Sequence, residues 1–170
     1  SFVLLKNANN TLPLKKSGTI ALVGPLADAA NNMTGTWSVA AQHEKSVSVL
    51  AGLKQVLGDK ATILYAKGSN LTADPALEER ATMFGKGLNR DARSEDELAK
   101  EALEIAAKAD VIIAAMRESA EFSGESSSRT DLNIPDTQKK LLKKLVATGK
   151  PVVLVLFTGR PLTLTWEDKN

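Results

Sequence analysis

Four short apolar runs, each separated from the next by a stretch with helical periodicity, constrain this chain more than any single residue does. Thr19-Ile-Ala-Leu-Val23 is β-branched and closes on Gly24-Pro25, which reads as a strand entering a turn. Ala61-Thr-Ile-Leu-Tyr65 is the second run, stopped near Gly68. Asp110-Val-Ile-Ile-Ala-Ala-Met116 is apolar throughout, the pattern of a strand covered on both faces. Pro151-Val-Val-Leu-Val-Leu-Phe157 is the fourth, followed by Gly159-Arg160-Pro161.

Between the runs the period changes to that of a helix. Residues Ser46 to Leu57 place Val47, Val49, Leu50, Leu53, Val56 and Leu57 on an apolar face that Gly58 ends. Ser94-Glu-Asp-Glu97 is a capping box, in which hydroxyl and carboxylate each satisfy an orphan N–H. The helix it opens runs to about Lys108, with Leu98, Ala102, Ile105 and Ala109 inward. Asp136 to Thr148 turns Leu141, Leu142, Leu145 and Val146 inward, with Gly149 as its C′ residue. Residues 69–93, with Pro75, Gly85 and Gly87, read as an excursion with room for one short helix. Strands alternating with helices long enough for right-handed crossovers predict an α/β three-layer sandwich: a mostly parallel sheet with helices on both faces.

Composition narrows the function classes. At 170 residues the chain can hold one domain with a substantial core. A net charge of +2 from scattered lysines gives no footprint for nucleic acid. Cysteine is absent and His43 is the single histidine, which excludes thiolate chemistry and a histidine-rich metal site. No apolar stretch approaches the ~20 residues of a membrane span. The turn Gly24-Pro-Leu-Ala-Asp28 carries no glycine-rich phosphate signature, and Pro25 removes an N–H where a cradle needs one, so nucleotide binding is disfavoured. The chain opens at Ser1 and stops inside what reads as the start of an element, Trp166-Glu-Asp-Lys-Asn170. A piece of a longer protein is the expectation.

Chemistry concentrates in the loop from Glu118 to Pro135, which leaves the carboxyl end of the third strand. It holds Glu118, Glu121, Glu125, Arg129 and Asp131 among small hydroxyl residues, a composition expected not to bury itself. Gly124 lets the backbone turn and aim Glu125 outward, and Arg129 could orient a carboxylate or bind a polyol hydroxyl. The plain alternative is a solvated charged loop with Arg129 and Asp131 paired locally. Trp37, in Gly35-Thr-Trp-Ser38, is either a stacking surface for a sugar ring or a cover for the sheet end. His43 reads as a solvent-facing residue. Asn9, Asn32 and Asn70 stand in N-x-T sequons, which matter only in a eukaryotic secretory setting.

Several motifs in order carry a resemblance. Ser1-Phe-Val-Leu-Leu-Lys-Asn7 with Leu12-Pro-Leu14 is followed by Ile20-Ala-Leu-Val-Gly-Pro-Leu-Ala-Asp28, Gly35-Thr-Trp-Ser38 and Lys67-Gly68. Glu125-Ser-Ser-Ser-Arg-Thr-Asp-Leu-Asn-Ile-Pro135 with Gln138, Gly149-Lys-Pro-Val-Val-Leu-Val155 and Gly159-Arg-Pro161 continue it. Together they resemble the second domain of family 3 glycoside hydrolases, nearest the bacterial periplasmic β-glucosidase type. The resemblance implies that residues 1–18 are a linker from a missing upstream (β/α)₈ barrel. Residues 19–170 would then be an α/β sandwich domain truncated at its C-terminus.

It further implies a retaining β-glycosidase whose nucleophilic Asp lies on the barrel and whose general acid/base is Glu125. Glu121 is the competing candidate. Trp37, Arg129 and Glu118 are the substrate-binding candidates. Glu118 matches a glutamate common in the family but preceded there by Gly, where this chain has Arg117. A β-linked glucoside or oligosaccharide is the expected substrate, with no cofactor, no metal and no nucleic acid. A periplasmic or secreted location is implied by the resemblance alone. The 170 residues by themselves are expected to be inactive, and a non-catalytic carbohydrate- or protein-binding module is the alternative.

Overall fold

The computed structural model describes residues 2–38, 40–80 and 90–170. Four parallel strands, β1 (Gly18–Val23), β2 (Ala61–Ala66), β3 (Val111–Arg117) and β4 (Val152–Phe157), form one sheet in the order β2-β1-β3-β4. Helices α1 (Val49–Leu57), α2 (Pro75–Arg80), α3 (Glu95–Lys108), α4 (Asp136–Val146) and α5 (Thr165–Lys169) lie between and after them. The expected three-layer α/β sandwich is what the chain forms.

The period-two alternation of the strands distributes the core over both faces. Ala21, Val23, Ile112, Ala114 and Met116 face α3 and α4, meeting Ala99, Ala102, Ala106, Leu141, Leu142 and Leu145. Ile20, Leu22, Ile113 and Ala115 face the other way, against Leu50 and Leu57 of α1. Because both sets are apolar, β3 reads in the sequence as an unbroken apolar run, and six of its seven residues are buried. Packing is close where β1 enters its turn: a Cβ on Gly24 would lie 2.1 Å from the Ala115 carbonyl oxygen.

The capping box of α3 is present in full, with Ser94 Oγ accepting from the Glu97 N–H (3.2 Å) and Glu97 Oε2 accepting from the Ser94 N–H (2.8 Å). The apolar face predicted over residues 46–57 needs correction. Ser48 caps α1, its Oγ accepting from the Ala51 N–H, so Val47 lies before the helix. Val56 sits about a quarter turn off the line of Leu50, Leu53 and Leu57. Both valines are exposed, at 49% and 60%. In the excursion at 69–93, α2 is the short helix; residues 81–89 fall outside the described residues. Its flanks are pinned to each other, Asn70 exchanging hydrogen bonds with the backbone of Asp91 and buried Glu78 pairing with Arg90. Among the described residues no helix is long and apolar enough to cross a membrane.

One feature of the topology decides where a ligand can sit. From β1 the chain moves outward to β2, and from β3 it moves outward to β4, although β1 and β3 are neighbours. The connections leaving these two strands therefore run to opposite sides of the sheet from its carboxyl edge. In open parallel sheets this switch point is the habitual ligand position. The departing loops are the one that carries Trp37 and the one that carries Glu118, Glu121 and Glu125.

Candidate active site

Strand β1 pairs with β3 only as far as Val23 opposite Ala114, whereas β4 follows β3 to Arg117. The last residue of β3 therefore turns its backbone N–H and C=O toward an edge with no strand. Gln138, on the first turn of α4 and 0% exposed, fills that place with its side-chain amide. Its Oε1 accepts from the Arg117 N–H (2.9 Å), and its Nε2 donates to the Arg117 carbonyl (2.8 Å) and to the Leu71 carbonyl (2.9 Å). One amide thus imitates a strand neighbour and ties the 69–72 segment to the strand end.

From this fixed end, two consecutive side chains reach into the two diverging loops. Arg117 is buried and reaches the loop after β1: its Nη2 donates to the Asn32 carbonyl and its Nη1 lies 3.5 Å from Met33 Sδ. The guanidinium sits 5.1 Å above the Phe157 ring, a cation–π contact that offsets part of its desolvation. Burial pushes its pKa down to about 10, so it stays a cation at neutral pH.

Glu118, with 1% of its side chain exposed, reaches the loop after β3. Its Oε1 accepts from Arg129 Nη1, and its Oε2 accepts from Thr158 Oγ1 (2.9 Å) with Arg160 Nε 3.7 Å away. Arg129 also donates to the Asn133 carbonyl (3.2 Å), and Arg160 donates to the Phe122 carbonyl. One buried carboxylate therefore fastens both ends of the 118–129 segment and the turn after β4.

The expectation that this loop cannot bury itself is overturned for its first half. Glu118, Ser119, Ala120, Glu121 and Phe122 are all buried. The cost of burying charge is met by two arginines at Glu118, and Phe122 packs with Leu26 and Leu71. A short 3₁₀ turn, Ala120–Ser123, shapes this part.

Beyond Gly124 the chain surfaces. Ser127 N–H donates to the Gly124 carbonyl (3.2 Å), closing a β-turn in which Glu125 and Ser126 are the central residues. Ser126 has φ 60°, the left-handed conformation that the third position of a type II turn demands. Ser127 Oγ ties the turn back to the Glu121 carbonyl at 2.7 Å. Glu125 is exposed at the corner, and its side chain has no hydrogen bond or ion pair among the described residues.

The Trp37 turn stands directly beside it. Thr36 Oγ1 donates to the Ala120 carbonyl, and a Cβ on Gly124 would lie 2.7 Å from Thr36 Cγ2. Gly35 to Ser38 form a turn of their own (Ser38 N–H to Gly35 carbonyl, 3.3 Å) that leaves Trp37 68% exposed. The turns that carry Trp37 and Glu125 thus pack against each other on the carboxyl edge of the sheet, with both residues exposed.

The structure brings Trp37, Glu118, Glu121, Glu125 and Arg129 into this one region, in different situations. Glu125 and Trp37 face outward, Glu118 is enclosed, and Glu121 is buried. Arg129 is paired with Glu118 rather than with Asp131. Asp131 instead accepts from the backbone N–H (2.9 Å) and side-chain amide (2.6 Å) of Asn133, which hold its carboxyl below the usual range. His43 Nδ1 is hydrogen-bonded to Thr34 Oγ1 on the same stretch of chain. Of the sequon residues, Asn32 and Asn70 are buried and Asn9 is exposed.

Sequence reasoning gave no role to Thr158 and Arg160. Their signal was topological: parallel neighbours end side by side, so the residues after β4 had to meet those after β3.

The chain matches the model of the glycosyl hydrolase family 3 C-terminal domain over residues 2–170. It is 49% identical over 170 residues to a periplasmic beta-glucosidase of Salmonella typhimurium, covering 100% of this chain and 22% of that protein. It is 32% identical over 176 aligned residues to a beta-xylosidase of Formosa agariphila, again covering 100% of this chain and 22% of the other. Among solved structures, it is similar to a beta-glucosidase from Listeria innocua in complex with gluconolactone. There the TM-score is 0.75 at 29% identity, over 98% of this chain and 20% of that one. The chain therefore spans about a fifth of the length of these relatives.

Proposed function

This chain belongs to glycosyl hydrolase family 3, as that family's C-terminal domain, and from that premise we propose that it supplies a general acid/base carboxyl, Glu125, to a retaining β-glucosidase-type site. The nucleophile would come from a (β/α)₈ barrel preceding it in a longer enzyme. The observation that carries this reading is the placement of Glu125: an outward-facing carboxyl at the corner of a turn whose base is fastened by a buried ion-pair cluster. A group that serves a partner domain must be presented, and it must be presented in one place.

Retaining hydrolysis sets two carboxyl groups ~5–5.5 Å apart across the scissile bond. In the first step Glu125, protonated, donates to the glycosidic oxygen as the barrel carboxylate attacks the anomeric carbon and the aglycone leaves. In the second, Glu125, now a carboxylate, takes a proton from water as that water displaces the barrel carboxylate, and free sugar is released. Both events need a site closed against solvent by the barrel. The isolated chain is therefore inactive in this reading. Trp37, exposed on the neighbouring turn, offers the flat face that a pyranose ring stacks on. Glu121 is the weaker choice for the proton carrier, because it is turned into the domain.

The substrate class is a β-linked glucoside or oligosaccharide, and the enzyme would act in the periplasm or outside the cell. The test is a leaving-group series of aryl β-glucosides on the longer enzyme with and without Glu125→Ala. The kcat/KM should collapse for poor leaving groups and survive for activated ones, on which kcat falls as the glycosyl-enzyme accumulates, and azide should restore that turnover by forming a β-glycosyl azide. Unimpaired turnover on poor leaving groups would sink the assignment. Saturable sugar binding by the isolated chain, abolished by Trp37→Ala, would instead favour a non-catalytic carbohydrate-binding module.

A further inference from the structure

Glu118 has a geometry that substrate recognition does not explain. Its carboxylate is 1% exposed on the side chain, and both oxygens are taken, Oε1 by Arg129 and Oε2 by Thr158 with Arg160 close by. The partners come from three places: the far end of its own loop, the end of β4 and the turn beyond it. Both arginines have a second grip on the loop or its flank. Arg129 holds the Asn133 carbonyl, Arg160 holds the Phe122 carbonyl, and Thr158 Oγ1 accepts from the Arg160 N–H at 3.2 Å. The segment bearing Glu125 thus leaves the domain and returns to it at one buried carboxylate. Gly159 lets the β4 turn approach, since a Cβ there would lie 2.1 Å from Ser123 Oγ.

We propose that Glu118, with Arg129, Thr158 and Arg160, is a positioning cluster that fixes where the Glu125 turn stands, and that Glu118 itself does not contact the sugar. The proposal rests on the acid/base reading of Glu125. Removing the charge at Glu118 leaves two arginines without their common anchor and frees both ends of the loop. The turn at 124–127 keeps its own bonds and moves as a unit, carrying a competent carboxyl group to the wrong place. A displacement of ~1 Å at a reacting group can cost ~100-fold in rate.

Loss of acid assistance has a signature that loss of folded protein does not. It weighs on substrates whose leaving group must be protonated and spares those whose leaving group departs unaided. In the longer enzyme, Glu118→Gln should lower kcat/KM on an alkyl or unsubstituted phenyl β-glucoside by ~10–100-fold. On 2,4-dinitrophenyl β-glucoside kcat/KM should be nearly unchanged, with kcat and KM falling together there because a misplaced general base slows hydrolysis of the glycosyl-enzyme. Thr158→Val, which removes one hydroxyl and no charge, should show the same pattern in weaker form and serves if Glu118→Gln fails to fold.

Glu125→Ala is measured alongside, so that the two ideas fail separately. If Glu125→Ala shows the leaving-group dependence while Glu118→Gln, or Thr158→Val in its place, lowers both substrates equally or neither, the positioning proposal is overturned and the acid/base reading stands. A rise in KM alone would restore Glu118 as a sugar contact and overturn it too. If Glu125→Ala shows no leaving-group dependence, the acid/base reading falls and takes this proposal with it.

Discussion

Replacing Gln138 by Leu removes the amide that stands in for a strand at the end of β3 while keeping nearly the same volume. Three hydrogen bonds go: one accepted from the Arg117 N–H and two donated, to the Arg117 and Leu71 carbonyls. The site is 0% exposed at residue 138, so water does not replace them. A buried backbone group left without a partner costs ~1–3 kcal/mol, and three such groups give a gross loss of several kcal/mol. The leucine returns ~1 kcal/mol through its apolar surface, and small shifts recover part of the carbonyl bonding. The net loss should be about 3 kcal/mol. For a chain of this size that lowers the melting temperature by roughly 6–12 °C.

Urea unfolding of the 170-residue chain measures it: the midpoint should fall while the slope stays constant, because the exposed surface does not change. Gln138→Glu supplies a second reading. A carboxylate can accept from the Arg117 N–H but cannot donate to the carbonyls, so at neutral pH this variant should be at least as unstable. Its buried carboxyl would have a raised pKa, so stability is present at low pH and lost as pH rises through the folded value. A loss under about 1 kcal/mol for Gln138→Leu would refute the idea that this amide completes the sheet.

Gly24→Ala should be among the most damaging single changes, with a loss of ~3 kcal/mol or more in the same urea assay, because its Cβ would lie 2.1 Å from the Ala115 carbonyl oxygen on the neighbouring strand. Ser94→Ala removes the N-cap of α3 and should cost ~1 kcal/mol. Hydrogen bonds from Arg93 hold the Asp91 carboxyl well below its ordinary value of 3.8. A depressed folded value means stability that is present above pH 3.8 and lost as pH falls through the folded pKa, so Asp91→Asn should flatten the acid limb of the urea midpoint against pH. Trp37→Ala should change stability by less than ~0.5 kcal/mol, given its 68% exposure, yet raise KM in the longer enzyme.

The architecture was legible because it rests on periodicity. The four runs, the capping box at Ser94 and the leucines of α4 each obey a local rule that tertiary contacts had only to confirm. Val47 and Val56 misled for the same reason: both are apolar and near the face, but Ser48 starts the helix later and the remaining register turns Val56 outward. The site was legible only in part. Composition marked 118–135 as the place for chemistry, and Gly124 marked the turn that presents Glu125. What composition could not show is that the charged residues divide into two groups. Glu118 reads locally as solvated, since its partners Thr158 and Arg160 lie about forty positions away and meet it only through the β3–β4 pairing.

That division also explains why Arg117 can stand where a smaller residue would serve the strand equally well. The switch point forces two loops apart from neighbouring strands, and a site built across the gap needs both loops set relative to one frame. Side chains alternate along a strand, so consecutive residues at its end are able to reach opposite ways. Arg117 reaches the Asn32–Met33 segment that leads to the Trp37 turn, and Glu118 reaches the ends of the segment that bears Glu125. Gln138 fixes the backbone between them. The strand end is thereby a common origin for the apolar face and the proton carrier. It follows that Arg117→Met should disturb the Trp37 side more than the Glu125 side. In the longer enzyme KM should rise with little leaving-group dependence, the reverse of the pattern expected for Glu118→Gln. Leaving-group dependence in Arg117→Met as strong as in Glu118→Gln would show that the two loops move as one and that the division does not hold.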